Sequence, residues 1–394
     1  MKGTVIVSAT RTPIDDFGGG LKDVSPLELG KTVMLEALKR ASVGKEEVDE
    51  VIMGNVLPAG LGQNPARQAM LMAGLPVEVA ALTINKVCGS GLKAIMLADQ
   101  AIKMGDADIV FAGGMENMYQ APYYLPKARD GLRIWDGKLV DGMIHDGLWD
   151  ILNDFHMGFA TENVADRFQV SREDQDRFTV QSYQRAARAW SEGEFRDEVV
   201  PVDVPQRKGP ALSFDMDEIP QRQTSMESLA KLAPAFKPDG TITAGNSSKI
   251  SSGAAGVMVM SREVAKARGL KPLARIVAHG AAGIDVMIPT AAPINSIPKV
   301  LKRAGLAEKD IAFHEINEAF AASTIAVMKE LDIDEAKVNV RGGAVAMGHP
   351  VGCSGTRVMV TLLHILRDRG AGLGMASVCL GGGEAVSMIV ERED

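Results

Sequence analysis

The sequence predicts an α/β protein built of two similar halves with a loop-rich insertion between them. Three observations carry that reading. Short Val- and Ile-rich runs alternate with amphipathic stretches at both ends of the chain, the pattern of buried strands covered by helices. A series of four short elements near the N-terminus returns in the same order near the C-terminus. Between the two series lies a segment rich in Asp, Arg, Gln and Met that holds all three tryptophans, Trp135, Trp149 and Trp190.

The repeat is explicit. Leu38-Lys39-Arg40-Ala41 returns as Leu301-Lys302-Arg303-Ala304, and residues 42–48 and 305–311 continue with matching patterns. Ser90-Gly91 opens one helix and Ser354-Gly355 another; each is followed by a strand ending in glycines, Gly113-Gly114 and Gly381-Gly382-Gly383. One shared tetrapeptide arises by chance, whereas four elements in fixed order at nearly equal separation mark a duplicated unit. The halves are residues 1–119, with 247–268 returning to them, and 269–394; residues 120–246 form the inserted loop domain.

Strands are expected over 4–8, 50–54, 81–84, 109–112, 273–278 and 375–380, and helices over 26–41, 90–103, 296–304, 317–331 and 354–369. In the insertion, the capping box Ser171-Arg172-Glu173-Asp174 opens a helix reaching about residue 190. Residues 201–238 are dense in breakers and read as irregular loop. A loop laid over a rigid scaffold is a natural place to clasp a ligand.

Composition narrows the function. The 394 residues carry a net charge of -7 from 43 basic and 50 acidic side chains, and no basic cluster is long enough to follow a phosphate backbone, which argues against nucleic acid as a partner. No run approaches the ~18 apolar residues of a membrane span, and the first residues run directly into a strand, so neither a secretion signal nor a membrane anchor is expected. Cys88, Cys353 and Cys379 are few, odd in number and far apart. They fit neither a disulfide framework nor a metal site, so no metal is expected and a reducing cytoplasm is. The Gly18-Gly19-Gly20 run lacks the spacing of a phosphate-binding loop.

Four residues could carry chemistry. Cys88 lies in Asn85-Lys86-Val87-Cys88-Gly89-Ser90-Gly91, between a strand and a helix. A sulfur at a helix N-terminus feels the unpaired amides, which favours thiolate; the alternative is a small buried residue on a tight turn. His349, in Gly348-His349-Pro350, sits among glycines just before a helix at the matching turn of the second half. It reads as a base to a thiol or a donor to an oxyanion, or as a structural histidine. Cys379 ends a strand in Cys379-Leu380-Gly381-Gly382-Gly383, where exposed N–H groups offer an oxyanion hole; a core cysteine is the alternative. Asn317, at a strand-to-helix junction, is either functional or an N-cap. Cys353 reads as core, and His156 is uninformative alone.

Taken together these blocks resemble the thiolase family. The resemblance spans nearly the whole chain and includes Ser8-Ala9-Thr10-Arg11-Thr12-Pro13, Ala112-Gly113-Gly114-Met115-Glu116-Asn117-Met118, Met157-Gly158-Phe159-Ala160-Thr161-Glu162-Asn163 and Asn317-Glu318-Ala319-Phe320. It implies a layered α-β-α-β-α arrangement of mixed sheets, and ping-pong acyl transfer between coenzyme A thioesters. The expected reaction joins two acetyl-CoA into acetoacetyl-CoA and CoA, or the reverse, with longer or unusual 3-ketoacyl chains as the alternative. Carried over, Cys88 takes the acyl group, His349 deprotonates it and then donates to the thioester oxygen, and Cys379 moves the α-proton. Asn317 holds a water beside His349, and the amides of Cys88 and Gly381 form a second oxyanion hole. Ser248, His156 and Arg222 are expected at the substrate. Coenzyme A enters as a substrate, so no resident cofactor is expected. The insertion is expected to bind CoA and to make the contacts of a dimer or tetramer, with Tyr123, Tyr124 and Trp135 as candidates.

The sequence departs from the family pattern in places. Lys249 replaces a glycine in Asn246-Ser247-Ser248-Lys249-Ile250, Pro289-Thr290-Ala291-Ala292-Pro293 replaces the stretch lining the acyl pocket, Gln221 stands where an adenine-stacking Arg is usual with Arg222 beside it, and Ala385 replaces a glycine. A ketoacyl-carrier-protein synthase would carry histidine in place of Cys379. A non-catalytic acyl-CoA scaffold would not need all four chemical residues. A disulfide switch between Cys88 and Cys379 is a further reading.

Overall fold

The computed structural model describes residues 3–222 and 224–393; readings placed on Met1, Lys2, Gln223 and Asp394 lie outside them. Nine strands form the main sheet: β1 (Thr4–Arg11), β2 (Glu50–Gly54), β3 (Ala80–Ile84), β4 (Ile109–Asn117), β5 (Ser252–Ser261), β6 (Ala274–Gly283), β7 (Phe313–Ile316), β8 (Leu373–Leu380) and β9 (Glu384–Arg392). Their order is β7-β8-β9-β6-β1-β5-β4-β2-β3. The ladder is two sheets joined at a narrow seam, since among the described residues β1 pairs with β6 through Val5↔Arg275 and Ile6↔Ala274 alone.

The same topology stands on each side of the seam. β1-β5-β4 and β6-β9-β8 pair antiparallel, and β4·β2 and β8·β7 pair parallel. The counterpart of β3 in the second half is reduced to a single parallel bridge, His314↔Val338. The duplication read from short sequence elements is thus a duplication of topology.

Helices fill three layers. α1 (Pro26–Ala41) and α2 (Pro65–Met72) cover the outer face of the first sheet, and α6 (Pro293–Ala304) and α7 (Ala321–Leu331) that of the second. Between the sheets lie α3 (Ser90–Met104) and α8 (Val351–Arg369). One core joins Leu92 and Ile95 of α3 and Val358 and Leu362 of α8 to Val110 and Val257 of one sheet and Ala376 and Val378 of the other. Every α8 residue from Val351 to Leu366 is buried, as a helix sandwiched on all sides must be. The α-β-α-β-α layering is as the sequence led us to expect.

The central helices touch through equivalent glycines. A Cβ on Gly91 would stand 2.7 Å from Thr356 N, and one on Gly355 would run into Leu92 N. Only glycine permits so close a backbone approach.

The insertion holds α4 (Met157–Arg167) and α5 (Arg172–Ser191). Ser171 caps α5, its Oγ accepting from Asp174 N–H at 3.1 Å, as expected; α4 was not foreseen. Residues 201–238 are less irregular than their breakers suggest: Val202–Val204 pairs with Leu212–Phe214, and Met226–Ala230 is helical. The insertion is fastened to β1 by Arg11, which is fully buried. Its Nε lies 2.6 Å from Glu198 Oε1 and its Nη1 2.8 Å from Asp217 Oδ1, and the guanidinium stacks over Phe195. The helix expected from residue 317 begins at Ala321. β5 and β9 had not been read as separate strands, because both lie buried on both faces and lack alternation.

Candidate active site

The turn carrying Cys88 is strained and braced. Val87 has φ +45°, a left-handed conformation costly for a β-branched residue. Its N–H donates to Asn85 Oδ1 at 2.9 Å, its carbonyl accepts from Ser90 Oγ at 2.6 Å, and Ser90 Oγ accepts from Lys86 N–H at 2.8 Å. Held this way, Cys88 lies partly buried in the wall of a cavity at the start of α3.

Burial pushes the Cys88 thiol up to about 12, although the N–H groups of Cys88 and Gly381 both favour its thiolate. The thiolate expected from a helix N-terminus is therefore corrected. Desolvation outweighs the amide dipoles, and the resting sulfur carries its proton.

His349 sits in the equivalent turn before α8. Its N–H donates to Lys249 O at 2.9 Å. Its Nδ1 is 2.6 Å from Ser354 Oγ, while the Ser354 hydroxyl is 2.9 Å from Pro350 O. A hydroxyl has one proton. With that proton on the Pro350 carbonyl, Ser354 accepts from His349 Nδ1–H, and Nε2 is left as an acceptor. Burial first, and the Arg357 charge second, push His349 down to about 3, so the ring is neutral.

Asn317 is not an N-cap, since α7 starts after Phe320. Its N–H extends β7 by donating to Ser377 O at 2.9 Å. Its side chain turns to the histidine, Nδ2 lying 3.4 Å from His349 Nε2, and its buried Oδ1 has no partner among the described residues. That oxygen is free to hold a water or a substrate donor.

Cys379 lies near the end of β8, opposite Ala385 of β9. Burial pushes its thiol up, and charge on Cys88, whenever that sulfur ionises, pushes it further. Gly382 and Gly383 take φ of +83° and +79°, turning the chain back so that Gly381 faces the cavity. Cys353 is fully buried in the core between the sheets.

The site opens on one cavity of about 370 Å³, with Asn317 set behind His349 and not in its wall. Cys88, His349, Cys379, Gly381, Ser248 and His156 all line it. The rest of the wall is mainly apolar, with Met118, Leu148, Met157, Phe236 and Phe320, as suits the exclusion of water. His156 caps α4, its Nδ1 accepting from Gly158 N–H at 3.0 Å, so Nε2 carries the proton; its ring stacks on Phe236 with centroids 4.7 Å apart. Arg222 stands off the wall, with Nη1 2.5 Å from Oδ2 of the cavity-lining Asp16. Thr290, from the rebuilt 289–293 segment, faces the cavity with Oγ1 3.2 Å from Thr161 Oγ1.

Sequence reasoning missed Phe236, whose loop has no periodicity, and Glu116. The buried Glu116 carboxylate accepts from Val56 N–H at 2.9 Å and Gly352 N–H at 3.0 Å, fastening the first sheet to the start of α8. Among the described residues no group of His, Cys, Asp or Glu is placed to hold a metal ion, and no helix is long and apolar enough to cross a membrane.

Fold and cavity define a duplicated α/β protein with two thiols and a neutral histidine at the junction of its halves. The thiolase N-terminal domain model matches residues 4–263 and the thiolase C-terminal domain model residues 270–392. The chain belongs to the thiolase family. It is 51% identical over 393 residues to the acetyl-CoA acetyltransferase of Pseudomonas aeruginosa, covering 100% of both chains. It is 53% identical over 387 residues to that of Chromobacterium violaceum, covering 98% of this chain and 99% of the relative. A crystal structure of the Bacillus anthracis acetyl-CoA acetyltransferase superposes with a TM-score of 0.98 at 42% identity, covering 100% of this chain and 99% of that one.

Proposed function

We propose that the chain is an acetyl-CoA acetyltransferase, running two acetyl-CoA to acetoacetyl-CoA and CoA and the reverse. The observation that carries this reading is the convergence of Cys88, His349, Cys379 and Gly381 on one largely apolar cavity, in a chain whose full-length relatives bear that name.

In the proposed mechanism His349 Nε2 takes the Cys88 proton as the sulfur attacks the thioester carbonyl. A Cys88 S–C bond forms, the C–S bond to CoA breaks, and the proton leaves on the CoA thiol. The amides of Cys88 and Gly381 meet the carbonyl oxygen, where fixed donors in a dry site stabilise developing charge. For condensation, Cys379 first gives its proton to His349 Nε2, and the Cys379 thiolate then removes the α-proton of a second acetyl-CoA while the protonated His349 and a water held by Asn317 stabilise the enolate oxygen. The enolate carbon attacks the Cys88 thioester, and Cys88 leaves as a thiolate that takes back the proton from His349. Two thiols are needed because one cannot hold the acyl group and move a proton at once.

Coenzyme A enters as a substrate. Ser248 and His156 are proposed to bind its pantetheine arm from the wall they line, with Arg222 at the rim near Asp16 and the 120–246 insertion as the clasp. We propose a cytoplasmic homo-oligomer, a dimer or tetramer. In support of an insertion-mediated contact, Ile134, Trp135, Leu139 and Leu152 are 64–93% exposed, apolar side chains of the kind that the core of an interface covers.

The test is thiolysis of 3-ketoacyl-CoA substrates of graded length, with Cys88→Ala as the blank. A steep preference for acetoacetyl-CoA that the blank abolishes is expected. Preference for longer chains, or silence on all of them, overturns the reading.

A further inference from the structure

Lys249 is the departure that the mechanism leaves unexplained. Its Nζ lies 2.7 Å from Ala244 O, 3.2 Å from Gly245 O and 2.9 Å from Ser247 O. An ammonium has three protons and no acceptor capacity, and here three carbonyls of one loop receive them. No backbone N–H of the described residues reaches those carbonyls. Without a cation the loop would hold three converging oxygens with nothing between them.

The loop belongs to the cavity. Ala244, Ser247, Ser248 and Lys249 all line it. Lys249 also acts through its own carbonyl, which accepts from His349 N–H at 2.9 Å and from Ser251 Oγ at 2.9 Å. One residue therefore gathers the loop carrying Ser248 and seats the backbone of the catalytic histidine. Burial pulls the ammonium down to about 8, with Asp16 opposing and Arg222 reinforcing; it remains charged at neutral pH.

We propose that the Lys249 ammonium is a built-in monovalent cation that sets the loop presenting Ser248 to the CoA thioester, and that removing it leaves a carbonyl cage able to take potassium or ammonium ion instead. Carbonyl oxygens at such spacing replace the hydration shell of potassium, and the lysine supplies the same charge tethered to the chain. Lys249 is thus a positioning residue, and the wild-type protein is independent of the monovalent cation in its buffer. The part concerning substrate rests on the acetyltransferase reading.

The experiment compares wild type with Lys249→Met, which keeps the aliphatic stem, at constant ionic strength in tetramethylammonium, sodium, potassium or ammonium chloride. In tetramethylammonium the variant is expected to raise KM for acetoacetyl-CoA about tenfold with kcat nearly kept, as loss of ground-state positioning does. Potassium or ammonium is expected to bring KM back to within about twofold of wild type. Melting adds a readout without activity: these ions should raise the variant's Tm by about 3–5 °C and leave wild type unmoved. A KM unchanged in tetramethylammonium overturns the proposal, and so does a defect and a Tm indifferent to every cation. Should wild type fail on every thioester, the acetyltransferase reading falls, and the melting comparison still decides the role of Lys249.

Discussion

His349 Nδ1 lies 2.6 Å from Ser354 Oγ, and the Ser354 proton is committed to Pro350 O at 2.9 Å. Ser354 is thereby an acceptor, and it selects the imidazole tautomer whose Nε2 can take a proton from a thiol. Ser354→Ala is expected to lower kcat by about 10- to 100-fold, part of the 10²–10⁴ that a positioned base supplies, with KM nearly unchanged. Nitrogen NMR of the histidine, together with thiolysis kinetics, checks it. A full-speed variant would remove Ser354 from the mechanism.

The two thiols should separate by step. Cys379→Ala is expected to accumulate acetylated Cys88 from acetyl-CoA and to yield no acetoacetyl-CoA. Cys88→Ala should form no acyl-enzyme at all. Intact-protein mass spectrometry after mixing with acetyl-CoA distinguishes them.

His349 is held near 3 instead of its ordinary 6.5, so the folded state binds fewer protons than the unfolded chain between those values. The stability it contributes is whole above pH 6.5 and is lost as pH falls toward 3, by up to about 1.4 kcal/mol per pH unit. Buried carboxylates such as Glu116, pushed up to about 7, work in the opposite sense, so the comparison must be between variants. Relative to wild type, His349→Asn should gain Tm on moving from pH 7.5 to 5. An unchanged Tm difference would contradict the neutral, desolvated ring.

Arg11 pairs with Glu198 and Asp217 in full burial. Arg11→Ala leaves the buried Asp217 without a cation and Glu198 with only the more distant Arg341 at 3.8 Å, and is expected to cost about 3–5 kcal/mol. Urea unfolding measures it, and a loss under 1 kcal/mol would show that the insertion is fastened elsewhere.

Gly355→Ala drives a methyl into the backbone of Leu92. Overpacking of this kind costs about 1–3 kcal/mol, and here it also parts the helices that begin just after Cys88 and His349. A fall in kcat alongside the fall in Tm is expected; Ala at the exposed Gly372, where a Cβ meets nothing, serves as the control for a glycine replaced away from that contact.

Much of this was legible in the chain itself. The α/β class follows from alternation, the duplication from ordered elements such as Ser90-Gly91 and Ser354-Gly355, and α1 and α5 from local capping and amphipathicity. Cys88, His349 and Cys379 stand out because each is a reactive side chain beside glycines at an element boundary, a local signal. What no local signal carries is which groups meet and what surrounds them. The ionisation of Cys88 reversed because desolvation depends on atoms from α8, β8 and the insertion, all remote in sequence. β5 and β9 escaped notice because a strand buried on both faces has no period. Lys249 looked like a defect in a motif until folding placed three carbonyls around its ammonium. Residue types and their order determined the architecture and the chemically able side chains; packing alone decided their protonation, their tautomers and the shape of the cavity they share, because these depend on distances between parts of the chain that sequence does not order in space.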